Sequence, residues 1–336
     1  MLRSLLAIIV LSGIAVVPAR AEQQCPTLIL GAMPAEIGPF LARSTSPARI
    51  DMKSADGHRT KSFFAGSIDG RDVVMAMTGI GTMNALETTR MAFAHFGCFD
   101  LVVFSGVSAG GANENVGDVL VPSSWTLSLS DANGNFTNSS YPVDALLLSQ
   151  VNAATSSLAL SQDGRLGDCG CAGVDPSMTP PIHFPNAPTI TVGGALSGHS
   201  SDPFGGHPLP CTPGTDTFGC QPCMFQDAAL IDPAGTATTA APFATPQFFL
   251  WYQAWSAGEN GSYGVEDMET AAAASVASEE ATPFIGFRSP SDGAAGDPLV
   301  PVPGPLGFLP QFLLYRQYAA DHAATVALAF LQAWQD

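Results

Sequence analysis

The sequence predicts a layered α/β domain, and three observations carry that prediction. Short apolar runs ending in glycine alternate with stretches of helical spacing. Apolar residues make up 46% of the chain and charged residues only 12%, enough to bury a large core. Strands and helices mix along the chain instead of segregating, as layered α/β domains require.

Each element has a local reason. Pro26 to Gly31 reads as a strand stopped by glycine, with Pro34 placed for the first turn of a helix. Ser62 to Met77 reads as a β-hairpin turning at Asp69-Gly70. Thr82 to Phe96 carries Met83, Leu86, Met91 and Phe93 at helical spacing. Asp100 to Ser105 and Val116 to Val121 are apolar strands, the second ended by Pro122. Further on, helices are expected at Pro246 to Trp255, Glu266 to Glu279 and Gln311 to Trp334, with a buried strand at Pro283 to Phe287. No internal repeat is visible.

Residues 1–21 have the three parts of a signal peptide. Arg3 is basic, Leu5 to Val17 is apolar, and Ala19-Arg20-Ala21 has the small-x-small pattern of a cleavage site. The apolar run is too short for a membrane span. A mature chain from Glu22, secreted or periplasmic, is therefore expected, and residues 22–336 form the domain. No later stretch is long and apolar enough to span a bilayer.

A formal charge of −17 with only 12 Lys and Arg repels phosphate backbones. Nucleic acid and anionic membranes are poor partners for such a surface. Residues 164–241 are rich in Gly, Pro, Ser, Thr and Cys and read as an insertion. Five of the seven cysteines fall there: Cys169, Cys171, Cys211, Cys220 and Cys223. In an oxidising compartment disulfides are the leading expectation, with a zinc site or a redox pair at Cys220-Gln221-Pro222-Cys223 as alternatives. His183, His199 and His207 lie nearby and read as solvated loop histidines. The odd cysteine count leaves one thiol free or paired with another chain.

Three segments at strand ends, where open α/β sheets bind ligands, carry the chemistry. The first is Gly31-Ala32-Met33-Pro34-Ala35-Glu36, where Glu36 falls in the first helical turn. Taken alone, it is a carboxylate favoured by the helix dipole. The second joins Thr78-Gly79-Ile80-Gly81 with Ser105-Gly106-Val107-Ser108-Ala109-Gly110-Gly111, glycines that let a ligand approach the backbone. Asn84 stands where a dinucleotide fingerprint needs a third glycine, so that motif fails. Gly106 to Gly110 formally matches a nucleophile elbow, with Ser108 as nucleophile and His322 as partner. An elbow requires a helix directly after the serine, and none is expected here. The third segment is Glu266-Asp267-Met268-Glu269, followed by Arg288-Ser289-Pro290-Ser291-Asp292. A helix and the strand after it would bring Glu269 and Asp292 into one cleft.

Taken together, Gly31-Ala32-Met33 with Glu36, Gly79-Ile80-Gly81, Ser108 to Gly111, Val116-Gly117-Asp118, Met268-Glu269 and Arg288 to Asp292 resemble one family. They occur in the order seen in the nucleoside phosphorylase/nucleosidase superfamily, nearest to methylthioadenosine/S-adenosylhomocysteine nucleosidases. The interval of 23 positions from Glu269 to Asp292 also fits. The resemblance implies a three-layer sandwich, a central mixed twisted sheet flanked by helices, with the insertion added.

It also implies roles. Asp292 would be the general acid toward the purine and Glu36 would activate water. Met268 and Glu269 would hold the ribose, Ser108 would lie near sugar or water, and Arg288 would orient the acid loop. Gly81 belongs to the substrate-binding turn. No metal or cofactor is implied. The partner is a small nucleoside, and relatives often form homo-oligomers. The base-stacking aromatic is not assigned; Phe243, Phe248 and Phe249 are candidates. Departures from the family pattern include Pro34-Ala35 in the first turn, Asp267 where glutamate is common, and Ser289-Pro290 replacing an apolar pair. Two other readings stand beside hydrolysis: phosphorolysis, which needs a cation near the Gly31 or Gly81 turns, and nucleoside binding without catalysis.

Overall fold

A computed structural model of the chain describes residues 25–54, 60–111, 113–130, 136–165, 181–201, 230–231, 237–238, 263–292 and 308–334. The first half runs β1 (Thr27–Gly31), α1 (Pro34–Arg43), β2 (Thr45–Lys53), β3 (Thr60–Ile68), β4 (Arg71–Met77), α2 (Thr82–Phe96) and β5 (Leu101–Gly110). Then come β6 (Val119–Val121), β7 (Ser124–Ser130), β8 (Phe136–Pro142), α3 (Ala145–Thr155), β9 (Asp163–Arg165) and β10 (Pro181–His183). The rest is β11 (Ile190–Val192), β12 (Ser197–Ser200), β13 (Leu230–Ile231), β14 (Ala237–Thr238), β15 (Val265–Asp267), α4 (Thr270–Glu279), β16 (Phe284–Asp292) and α5 (Phe308–Ala333).

One mixed sheet organises these elements in the order β2-β3-β4-β1-β5-β15-β12-β7-β8, and β16, β6 and β11 branch from β5. β1 lies parallel between β4 and β5, and all five of its residues are buried. A strand covered on both faces reads as the unbroken apolar run seen at Leu28-Ile29-Leu30. Helices cover both faces: α2 packs on α4, while α1 and α3 pack on α5. The Ala271–Ala274 run is completely or nearly buried and lets α4 lie close to the sheet. The three-layer α/β architecture expected from the sequence is the one observed.

Several boundaries move. The expected helix from Glu266 begins only at Thr270, because Val265–Asp267 is a strand whose Asp267 accepts from the amides of Glu269 and Thr270. The strand expected to end at Phe287 continues to Asp292, so Arg288 and Asp292 lie within it rather than beyond it. The segment 164–241 does not stand wholly outside the domain. β11 pairs with β6, and β12 joins β7 to β15, so residues 190–200 belong to the main sheet. The signal peptide, the helix expected at 246–255, His207 and five of the seven cysteines lie outside the described residues.

The remaining two cysteines form a Cys25–Cys98 disulfide that ties the start of β1 to the turn after α2. Closing a loop of 73 residues removes freedom mainly from the unfolded chain. Replacing both with serine should cost about 2–4 kcal/mol, read as a lower urea midpoint. An unchanged midpoint would contradict that contribution.

Candidate active site

The site lies where the sheet opens. On one edge of β5, β16 pairs from Val102 to Ala109, with a register shift between Pro290 and Asp292. On the other edge β1 pairs only as far as Phe104, and β15 joins at Ala109 and Gly110. Between them the Val107 N–H donates to Glu36 Oε1 at 2.8 Å, and the Val107 carbonyl accepts from Arg288 Nη1 at 2.8 Å. Side chains thus satisfy the backbone of β5 where no strand does.

Glu36 is fully buried. Its Oε2 accepts from the Ala32 and Met33 amides, which caps α1, and its Oε1 spans to β5. It is a helix-capping carboxylate and a site residue at once. Burial pushes its pKa up, opposed by the nearby Arg288 guanidinium and by the three backbone donors. Gly106 makes this approach possible: a Cβ there would sit 2.3 Å from Glu36 Oε1 and 2.5 Å from Arg288 Nη1. Gly106→Ala is therefore expected to displace both side chains, cost about 1–3 kcal/mol and abolish site function. A variant with wild-type thermal midpoint and activity would overturn this.

Arg288 is the hub. Fully buried over the Phe104 ring, it reaches Asp267 Oδ2 at 2.7 Å, Glu269 Oε2 at 3.4 Å and Glu36 Oε1 at 3.5 Å. It therefore knits three carboxylates together; orientation of an acid loop, the role expected from the resemblance, is not what these contacts serve. Its Nε also donates to Thr270 Oγ1 at 2.7 Å. Asp267 is held further by Ser200 and Thr270 hydroxyls. Glu269 accepts from the Gly81 amide at 2.8 Å, which links α4 to the Gly79–Gly81 turn. Gly81 has φ 100°, a conformation that glycine supplies without strain. Its amide, expected to be open to a ligand, is committed to Glu269. Burial raises the Glu269 pKa, and the Asp267 and Glu36 charges add to that against Arg288. One cation facing three buried carboxylates favours retention of a proton in the cluster.

Asp292 stands apart from this cluster. It lies four residues beyond Arg288, past a register shift in β16, and accepts from Ser291 Oγ at 2.8 Å. Burial pushes its pKa up to about 7, with Glu266 adding to the rise and Ser291 opposing it. The charged group that acts on it is Glu266. Ser108 is buried on β5, and its Oγ has no hydrogen-bond partner among the described residues. A buried hydroxyl without a partner is costly unless a ligand completes it. Met268 is half-buried between Asp267 and Glu269.

The serine-hydrolase arrangement does not form. Ser108 sits inside a strand, and His322 Nδ1 bonds the Gly117 carbonyl at 2.7 Å. His199 is the clearest correction: it is no solvated loop residue but fully buried in β12, bonded to Ser128 and Glu266. His183 is exposed, as expected, but it ends strand β10 and pairs with Asp163 of β9 rather than lying in a loop. Asp267 and Thr270, the anchors of Arg288, went unassigned because a capping aspartate and threonine look ordinary in sequence. Lys61 was missed too; it donates to the Thr78 carbonyl and to Asn84 Oδ1, at 3.2 Å, beside the Gly79–Gly81 turn. The three candidate stacking phenylalanines lie outside the described residues.

An α/β sandwich with buried carboxylates at a break in its sheet defines the class. Residues 26–175 match the family model of the phosphorylase superfamily. The uncharacterized protein Rv2293c of Mycobacterium tuberculosis is 36% identical over 213 residues, 62% of this chain and 80% of that protein. Among solved structures, the methylthioadenosine/S-adenosylhomocysteine nucleosidase of Neisseria meningitidis, with methylthio-immucillin-A, is similar at TM-score 0.54 and 16% identity, covering 92% of this chain and 99% of that one. The Colwellia psychrerythraea nucleosidase with adenine gives 0.55 and 18%, covering 93% and 96%. Futalosine hydrolase of Helicobacter pylori gives 0.53 and 14%, covering 92% and 98%. The chain belongs to the phosphorylase superfamily.

Proposed function

We propose that the protein hydrolyses the N-glycosidic bond of purine nucleosides of the adenine type, after export from the cytoplasm. One observation carries the reading. Asp292 is buried at the end of β16 beside Ser291, with no cation among the groups that act on it, so its pKa is pushed up to about 7 and about half of the carboxyl keeps its proton at neutral pH. Breaking the C1′–N9 bond leaves negative charge on the base and positive charge on the sugar. Asp292 supplies the proton that the base needs. Glu269, with Met268 beside it, takes the ribose, and its carboxylate stabilises the oxocarbenium sugar. Glu36, aligned by three backbone donors, accepts the proton of the attacking water. Ser108 Oγ gives its unused bond to sugar or water. Ligands of the similar solved structures, adenine and methylthio-immucillin-A, support the adenine class. The Cys25–Cys98 disulfide supports the oxidising compartment.

Phosphorolysis is the second reading, and Lys61 favours it by bringing a cation to the Gly79–Gly81 turn. The ammonium is turned to Thr78 and Asn84, and the site around it is acidic, so water remains the preferred acceptor. A panel of purine nucleosides, assayed for free base with and without phosphate, decides. Equal release in both buffers supports hydrolysis. Release dependent on phosphate would establish the second reading, and no release would leave a binding protein.

A further inference from the structure

Beside Asp292 lies a pair of titratable residues that the proposed reaction does not use. His199 is buried with its ring stacked on Tyr263, at 4.2 Å between centroids and 7° between planes. Its Nε2 lies 2.7 Å from Ser128 Oγ, and its Nδ1 lies 3.0 Å from Glu266 Oε1. Ser128 gives its single hydroxyl proton to Asn138 Oδ1 at 2.7 Å. Its oxygen must therefore accept from His199, so Nε2 carries a proton. One further proton then has to lie between Nδ1 and Oε1, on either partner, for that contact to be a hydrogen bond. In both cases the pair is neutral.

The sheet places this pair beside the acid. Glu266 and Asp292 pair with the same residue, Ala109, on opposite edges of β5. Two strand spacings, about 10 Å, separate their backbones. Among the described residues Glu266 is the charged group facing Asp292 from β15. On β16, Ser291 donates to Asp292, and Arg288 is taken up by Glu36, Asp267 and Glu269. β5 offers only Ser108 and Ala109. His199 is faced by Glu266 from β15 and by Ser128 from β7. The Glu266 side chain is 33% exposed, so solvent protons reach the pair.

We propose that His199 and Glu266 are positioning residues for the acid, a pair sharing one proton across β5 whose charge governs how readily Asp292 gives up its own. This rests on the assignment of Asp292 as general acid. When Asp292 protonates the leaving base it becomes a carboxylate. The proton held between Nδ1 and Oε1 offsets part of that new negative charge. The Asp292 proton is restored from water after product leaves.

The two halves of the pair should act in opposite directions. His199→Gln leaves Glu266 a bare carboxylate, so Asp292 holds its proton more tightly and the alkaline limb of the kcat profile moves up. Glu266→Gln takes away the carboxylate while its amide oxygen still accepts the Nδ1 proton, which leaves the pair with a positive charge and moves that limb down. Each shift should be roughly half a pH unit or more, with KM near the wild-type value. Shifts in one direction, or none, would overturn the proposal, since lost packing has no reason to give opposite signs.

A second readout needs no turnover. Nitrogen-15 histidine NMR of the ligand-free protein should show Nε2 protonated, and the His199 titration should move in Asp292→Asn. A His199 lacking the Nε2 proton, or indifferent to Asp292→Asn, overturns the proposal even if either glutamine variant fails to fold. Coupled NMR titration in a protein that releases no base would instead reject the functional reading and retain the pair.

Discussion

Asp292→Asn is expected to lower kcat by about 10²–10⁴-fold while leaving nucleoside binding nearly unchanged. The amide keeps the shape of the side chain but has no acidic proton for the base. Activity in the wild type should follow the protonated form of Asp292. It falls about tenfold per pH unit above about pH 7, while on the acid side activity falls where Glu36, its pKa raised by burial, takes up a proton. The same substitution carries a stability signature. A carboxyl whose folded pKa lies above its unfolded value contributes stability that is complete below about pH 4 and lost as pH rises through about 7. Asp292→Asn removes that loss, so the variant should gain up to about 4 kcal/mol over wild type on going from pH 4 to pH 8. Slower turnover with higher alkaline stability is a combination that general damage does not produce. Wild-type kcat in the variant would remove Asp292 from the chemistry.

Arg288→Met should have the largest effect on folding. Methionine fills much of the same volume but leaves Glu36, Asp267 and Glu269 without their common cation. Breaking a buried pair by removing one partner costs about 3–5 kcal/mol. The cost should shrink at low pH. Without the guanidinium Glu36 and Glu269 hold protons more tightly, so stability is kept in acid and lost as pH rises. Urea midpoints at pH 5 and pH 8 measure this. A loss under about 1 kcal/mol at pH 8 would mean that the cluster is not held by charge.

Legibility in the sequence followed burial and pattern. The Asp69-Gly70 hairpin and the Thr82–Phe96 helix were readable because turn chemistry and apolar spacing agreed. Edge strands were not: Thr45–Lys53 is mostly exposed, as are five residues of Phe136–Pro142, so neither shows the alternation of a half-buried strand. β12 escaped for the opposite reason. Ser-Gly-His-Ser looks like a loop, yet His199 and Ser200 are buried because each polar atom finds a distant partner. Glu36, Glu269, Arg288 and Asp292 were nameable because their motifs resemble, in order, those of the nucleosidase superfamily; taken alone, Glu36 and Glu269 read as helix-end carboxylates. Their division of labour was not. That Arg288 binds three carboxylates while Asp292 faces Glu266 depends on register across β5, a long-range property no local window contains.

The central claim is that water, not phosphate, receives the sugar while Asp292 protonates the base. Turnover of methylthioadenosine in heavy-oxygen water, free of phosphate, tests it most directly. The account predicts free adenine and a sugar carrying one heavy oxygen at C1′, both absent with Asp292→Asn. No adenine from this or any purine nucleoside, or release that begins only when phosphate is added and yields a sugar 1-phosphate, would contradict it.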